Sequence, residues 1–226
     1  MPQQLSFDLP AKPALGRDDF FVSPTNALAV AMIESSISWP NRKLVLTGPT
    51  GSGKTHLAHV WAALTSAPIV AACDLVDADV PRLATSPVVV EDVPQIANTP
   101  SAQNTLFHLH NLVLAEGHAL LLTGQGAPSL WGLTLPDLQS RVEAAHHVAL
   151  PAPDDALLAA VLAKLFDDRQ ITPKPNVIPY LVHHMDRSFE AAAAIVDQLD
   201  QMSLSESRTM SRPLAVRLIA DLNANG

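Results

Sequence analysis

The chain has 226 residues, 48% of them hydrophobic and only 4% aromatic, which supplies one core plus a small second unit and excludes a disordered chain. With 14 Lys and Arg against 22 Asp and Glu, the formal charge is -8, so the dense basic surface needed for sequence-independent nucleic-acid binding is missing. A single cysteine, Cys73, excludes an internal disulfide framework and fits a reducing compartment. The apolar runs are too short to cross a bilayer and no secretory leader pattern opens the sequence, so a cytoplasmic protein is expected.

The first ten residues, MPQQLSFDLP, alternate apolar side chains at Leu5, Phe7 and Leu9. No hairpin partner lies nearby, and Pro10, Pro13 and Gly16 follow before any periodic pattern begins. Such a tail either packs on its own domain or binds another protein. Ser23-Pro24 then starts a helix, with a hydroxyl cap and proline at the first helical position, and residues 27–37 carry it.

Residues 43–47, KLVLT, read as a short buried strand. The following GPTGSGKT, Gly48 to Thr55, matches the phosphate-binding P-loop at every position. Leu57, Val60, Trp61 and Leu64 recur at helical spacing, so the strand–loop–helix context is present. Gly48, Gly51 and Gly53 let backbone N–H groups curl around phosphate oxygens. Lys54 reaches the outer phosphates, Thr55 offers a hydroxyl to Mg²⁺, and the next helix presents the positive end of its dipole. The candidate nucleotide-binding residues here are Gly48, Pro49, Thr50, Gly51, Ser52, Gly53, Lys54, Thr55 and His56.

A P-loop needs an acid at the end of a neighbouring strand. Val88 to Val90 form a β-branched run ending in Glu91 and Asp92. One carboxylate, assigned to Glu91, can hold Mg²⁺ with Thr55; the other, Asp92, can polarise an attacking water. Residues 118–123 read as another core strand ending at Gly124, Gln125 and Gly126. Gln125 there is either a sensor of the γ-phosphate or part of a plain turn. With further strands near 68–72 and 146–150 and helices near 53–65, 101–116 and 134–143, the pattern predicts a mainly parallel α/β sheet in three layers.

LPAPDD at 150–155 marks a change of character. Helical segments near 154–168, 174–184, 188–203 and 212–222 follow, with no convincing strand. The expected organisation is a tail over 1–17, a nucleotide-binding αβα domain over 18–151 and a helical domain over 152–226.

The order of P-loop, acidic strand, polar strand end and helical lid resembles the AAA+ ATPases, most closely the bacterial initiator DnaA and its short relatives, the Hda family. DDFFVSPTNALAV is similar to the initiator's adenine-pocket segment, which implicates Phe20, Phe21 and Val22. LQSRV is similar to the family's Ser-Arg box, which makes Arg141 the implied arginine finger. MDRSFEAAAAIVDQLDQ and its continuation resemble the Hda lid, with Arg187 at the sensor-2 position, which implies a nucleotide-binding residue that closes onto the phosphates of the chain's own nucleotide. Two departures stand out: Glu91-Asp92 where the family usually has Asp first, and Gln125 where the initiator has an acidic sensor-1 residue. Both imply weak hydrolysis at the chain's own site, while nucleotide binding rests on the P-loop.

QLSFDL resembles the bacterial sliding-clamp-binding motif that the Hda family carries. The resemblance implies contacts from Gln4, Leu5, Ser6, Phe7 and Leu9 with the DNA polymerase III beta sliding clamp. The implied function is negative regulation of replication initiation: an ADP- or ATP-bound protein, with Mg²⁺, tethered to the DNA-loaded clamp and stimulating hydrolysis by DnaA. Contact with DNA is then indirect, the location is at the nucleoid or replisome, and homo-oligomerisation stays open. A helicase-loader-like ATPase and a P-loop small-molecule kinase are the alternatives. The nine histidines lack metal-ligand spacing and read as structural or solvated.

Overall fold

The computed structural model describes residues 21–206 and 209–225. Its centre is a five-stranded sheet, with β1 Lys43–Thr47, β2 Ile69–Ala71, β3 Val88–Glu91, β4 Leu120–Gly124 and β5 His146–Ala149, in the order β2-β3-β4-β1-β5. Every pairing is parallel; Thr47 stands opposite Gly124 on one side and Ala149 on the other. Parallel pairing requires crossovers, and helices supply them on both faces.

The strand period of two divides the core. Val45, Val88, Val90, Leu120 and Leu122 point to the face covered by α4 (Pro100–Ala115) and α5 (Pro136–Glu143). Leu44, Leu46, Val89, Leu121 and Val148 point to the other face, under α1 (Ala27–Glu34) and α2 (Lys54–Thr65). Leu44 and Leu46 are fully buried, which contributes about 1.5–3 kcal/mol each. Trp39 stacks on Trp61 of α2 with ring centroids 5.1 Å apart, fixing the corner where α1 turns into β1.

The first helix ends at Glu34, three residues before the predicted boundary. The serines explain this: Ser35 Oγ donates back to Ala31 O (2.6 Å) and Ser36–Ser38 wind into a 3₁₀ turn. Ser hydroxyls compete with the helical ladder in this way. Trp39 Nε1 donates to Met32 O (2.6 Å), and Pro40 follows. A one-turn helix, α3 (Val80–Leu83), was absent from the sequence reading; Asp79 caps it through the Arg82 N–H.

After β5 the chain crosses to a separate helical core of α6 (Asp155–Asp168), α7 (Val177–His184), α8 (Phe189–Glu206) and α9 (Arg212–Asn225). Leu158, Leu162, Phe166, Leu181, Ile195, Val196, Leu199 and Leu218 fill it. Asp154 caps α6 through the Leu157 N–H (2.7 Å) and also accepts from Thr25 Oγ1 (3.0 Å). One carboxylate thereby joins the N-terminal segment to the lid. Among the described residues no helix is long and apolar enough to cross a membrane.

Candidate nucleotide site

The P-loop leaves β1 at its C-terminal end and enters α2 at Lys54. Gly51 and Gly53 take φ of 69° and 98°, values that a side chain makes costly. Gly48 is needed for another reason: a Cβ there would stand 2.3 Å from Leu150 O. Lys54 is buried, and its ammonium donates to Gly48 O (2.9 Å) and Pro49 O (2.8 Å). Burial lowers its pKa below the ordinary lysine value, while Asp92 and then Glu91 oppose that shift. The loop, its lysine and both acids therefore share one electrostatic neighbourhood.

Asp92 occupies the left-handed region at φ 55° and donates its N–H to Thr123 Oγ1 (3.1 Å), which ties the end of β3 to β4. Glu91 keeps one buried carboxylate oxygen without a protein partner, and the buried Ser52 hydroxyl is likewise unpartnered. A cation carrying phosphates fits this set. The glycines give phosphates access to backbone N–H groups, and Glu91 with the exposed Thr55 hydroxyl offers hard oxygen ligands. Among the described residues no cluster of three His, Cys, Asp or Glu could hold a metal without such a ligand.

Gln125, just past β4, donates from Nε2 to Thr50 Oγ1, so this strand end does meet the P-loop. Trp131 holds the turn there: its Nε1 donates to Gln125 O (2.9 Å), and its ring leaves no space for a Cβ on Gly124. Nothing in the linear sequence singled out Trp131. Thr47 shares a 2.7 Å hydrogen bond with His147 Nε2, where burial and then His146 lower the imidazole pKa.

The lid reaches the P-loop through its own backbone. Phe189 N–H donates to Gly51 O (2.9 Å), and Ser188 packs so closely that a Cβ on Gly51 would meet its Cβ at 2.3 Å. Arg187, next in line, donates to Asp155 Oδ1 (2.5 Å) and Pro153 O (2.9 Å). Its guanidinium thus binds Pro153 and the first residue of α6, one residue away from the segment on the P-loop. Phe21 and Val22 are exposed; Asn26 Nδ2 donates to Phe21 O (2.9 Å). Phe20 and the tail residues Gln4, Leu5, Ser6, Phe7 and Leu9 lie outside the described residues.

Arg141 is nowhere near the P-loop end of the sheet. It sits in the last turn of α5, exposed, with its guanidinium 5.2 Å above the Phe107 ring. Its carbonyl accepts from Lys43 Nζ (2.9 Å), at the opposite end of β1 from Thr47. Four residues of strand, about 13 Å, separate those two ends.

Comparison with known proteins agrees with this architecture. The Hda lid domain family matches residues 155–219. Domain III of the Thermotoga maritima replication initiation protein DnaA superposes with a TM-score of 0.80 at 18% identity, over 94% of this chain and 98% of that one. AMPPCP-bound DnaA from Aquifex aeolicus gives 0.71 at 17% identity, over 84% and 66%. DnaA bound to AMPPCP and single-stranded DNA gives 0.69 at 19%, over 84% and 65%. The chain therefore spans just under two thirds of those two longer proteins. No curated protein matches the sequence. The chain thus shares the fold of DnaA domain III, and its C-terminal helices match the Hda lid domain over residues 155–219.

Proposed function

We propose that this chain binds an adenine nucleotide at its P-loop and regulates replication initiation by stimulating ATP hydrolysis in a DnaA-type partner. The position of Arg141 carries the reading. It is exposed and anchored at the end of β1 opposite the P-loop. A guanidinium there serves a neighbour's nucleotide and not its own, and charge stabilisation of that kind accelerates phosphoryl transfer.

In this reading the nucleotide's phosphates lie on the Gly48–Thr55 loop, with Lys54 as their charge partner and Mg²⁺ on Thr55 and Glu91. The adenine lies by Phe20 and Val22. Own-site turnover is slow, because Gln125 holds Thr50 and carries no charge to orient a water. Asp92 and Gln125 set whatever residual rate remains. Gln4, Leu5, Ser6, Phe7 and Leu9 hold the protein on the DNA-loaded sliding clamp, which raises its effective concentration near the initiator.

The test is ATP hydrolysis by DnaA in the presence of clamp-loaded DNA, with wild type, Arg141→Ala and Gln4→Ala/Leu5→Ala proteins. The first variant should still bind ADP and the clamp yet drop stimulation to background. The second should lose clamp binding and require far more protein for the same rate. Full stimulation by a clamp-binding, ADP-binding Arg141→Ala protein sinks the arginine-finger role.

A further inference from the structure

Lys43 is an unusual first residue for a core strand. It is only 8% exposed, yet it carries a charge. Its Nζ donates to Arg141 O (2.9 Å), 98 positions along the chain. That carbonyl belongs to the last turn of α5, where the helical ladder leaves backbone oxygens unmet. The neighbouring amides are used otherwise: Ala144 N–H bonds to Ser140 O and Ala145 N–H to Val142 O. A cation is also the favoured charge at the negative end of a helix dipole.

Burial and the Arg141 charge lower the Lys43 pKa. The nearby His110 is pushed down to about 4, chiefly by burial, with Lys43 and Arg141 adding to the shift. His110 is therefore neutral at physiological pH and does not repel the ammonium. Phe107 supplies the remaining support, its ring lying under the guanidinium of Arg141. The backbone of the finger residue is thus pinned to the sheet, while its side chain rests on α4.

We infer that Lys43 is a positioning residue for Arg141: its buried ammonium caps the Arg141 carbonyl and fixes the turn from which the guanidinium meets the partner's nucleotide. The inference rests on the proposed arginine-finger function and adds the device that aims the finger. A residue acting this way changes the rate within the assembled complex and leaves assembly alone, because a small misplacement of a catalytic group is costly in the transition state.

The experiment compares wild type, Lys43→Met, Lys43→Arg and Arg141→Ala in the clamp-dependent DnaA hydrolysis assay, alongside amide exchange of each protein alone. Lys43→Met keeps the length of the side chain and removes the donor. Its amides at Ala144 and Ala145 should exchange about tenfold faster, and ADP affinity should not change. Its plateau stimulation should fall roughly tenfold at an unchanged half-saturating concentration. Lys43→Arg, which restores a donor, should recover most of the plateau. An unaltered plateau in Lys43→Met while Arg141→Ala abolishes stimulation overturns the inference alone. So does a loss that Lys43→Arg fails to restore and that comes with a lower melting temperature, since that marks a general structural role. Full stimulation by Arg141→Ala removes the finger assignment, and the positioning role with it; the amide-exchange result then still shows whether Lys43 caps the helix.

Discussion

Gln103 shows what one buried amide does in this fold. It sits on α4, fully buried, with Nε2 donating to Ile96 O (2.9 Å) and Ala97 O (2.8 Å). Its Oε1 accepts from the N–H groups of Thr134 (2.9 Å) and Leu135 (3.0 Å). It therefore ties the loop after β3 to the loop before α5, which bears Arg141. Replacing it with Met keeps the volume and leaves those backbone groups without partners. Each costs about 1–3 kcal/mol when buried, partly relieved by water. Gln103→Met should destabilise the protein by roughly 2–4 kcal/mol in denaturant unfolding, an estimate from the same penalties; a change within experimental error would mean that water reaches both loops freely. A glutamine between apolar helix positions looks like a surface residue in the sequence, because its partners are 6 to 32 positions away. Lys43 and Trp131 were illegible for the same reason. The P-loop was readable because its chemistry is contained in eight consecutive residues.

At the level of elements, the strands were legible because their burial is written locally. Val88–Val90 and Leu120–Leu122 are apolar runs with both faces covered. The first helix stops early because the Ser35 side chain competes with the backbone ladder. How the elements join was not legible, and Asp154 is the clearest case. It caps α6 and accepts from Thr25, so one carboxylate couples two segments 129 residues apart. The Leu157 N–H holds its pKa below the ordinary 3.8 against the opposing effect of burial, helped by the hydroxyls of Thr25 and Ser23 and by the Arg187 charge. A depressed carboxyl pKa stabilises the fold above the unfolded value and ceases to do so as pH falls through the folded value. Asp154→Ala should therefore cost about 1 kcal/mol at pH 7, the usual worth of such a cap. The gap between variant and wild type should close below pH 3.8. Unfolding curves at pH 7 and pH 3 check this, and a gap that persists undiminished at pH 3 contradicts it.

Across the whole molecule, the fold divides into two units. The αβα domain and the lid have separate apolar cores. Polar links join them: Phe189 N–H to Gly51 O and Thr25 to Asp154. The first lies on the P-loop itself, so a ligand that orders the loop also orders the start of α8. Binding to the native state alone adds about 2.7 kcal/mol of stability at a hundredfold excess over Kd. In a protein of this size that corresponds to roughly 5–10 °C in melting temperature. Mg²⁺-ADP should thus raise the melting temperature by that amount and slow amide exchange at Phe189 in the lid as well as in α2. Lys54→Ala should abolish both effects while the apo protein melts normally, since this lysine bonds only P-loop carbonyls. If ADP protects α2 and leaves Phe189 unchanged, the contact between lid and P-loop does not transmit occupancy. The lid would then move independently of the nucleotide, and the face that meets the partner would be set by the αβα domain alone.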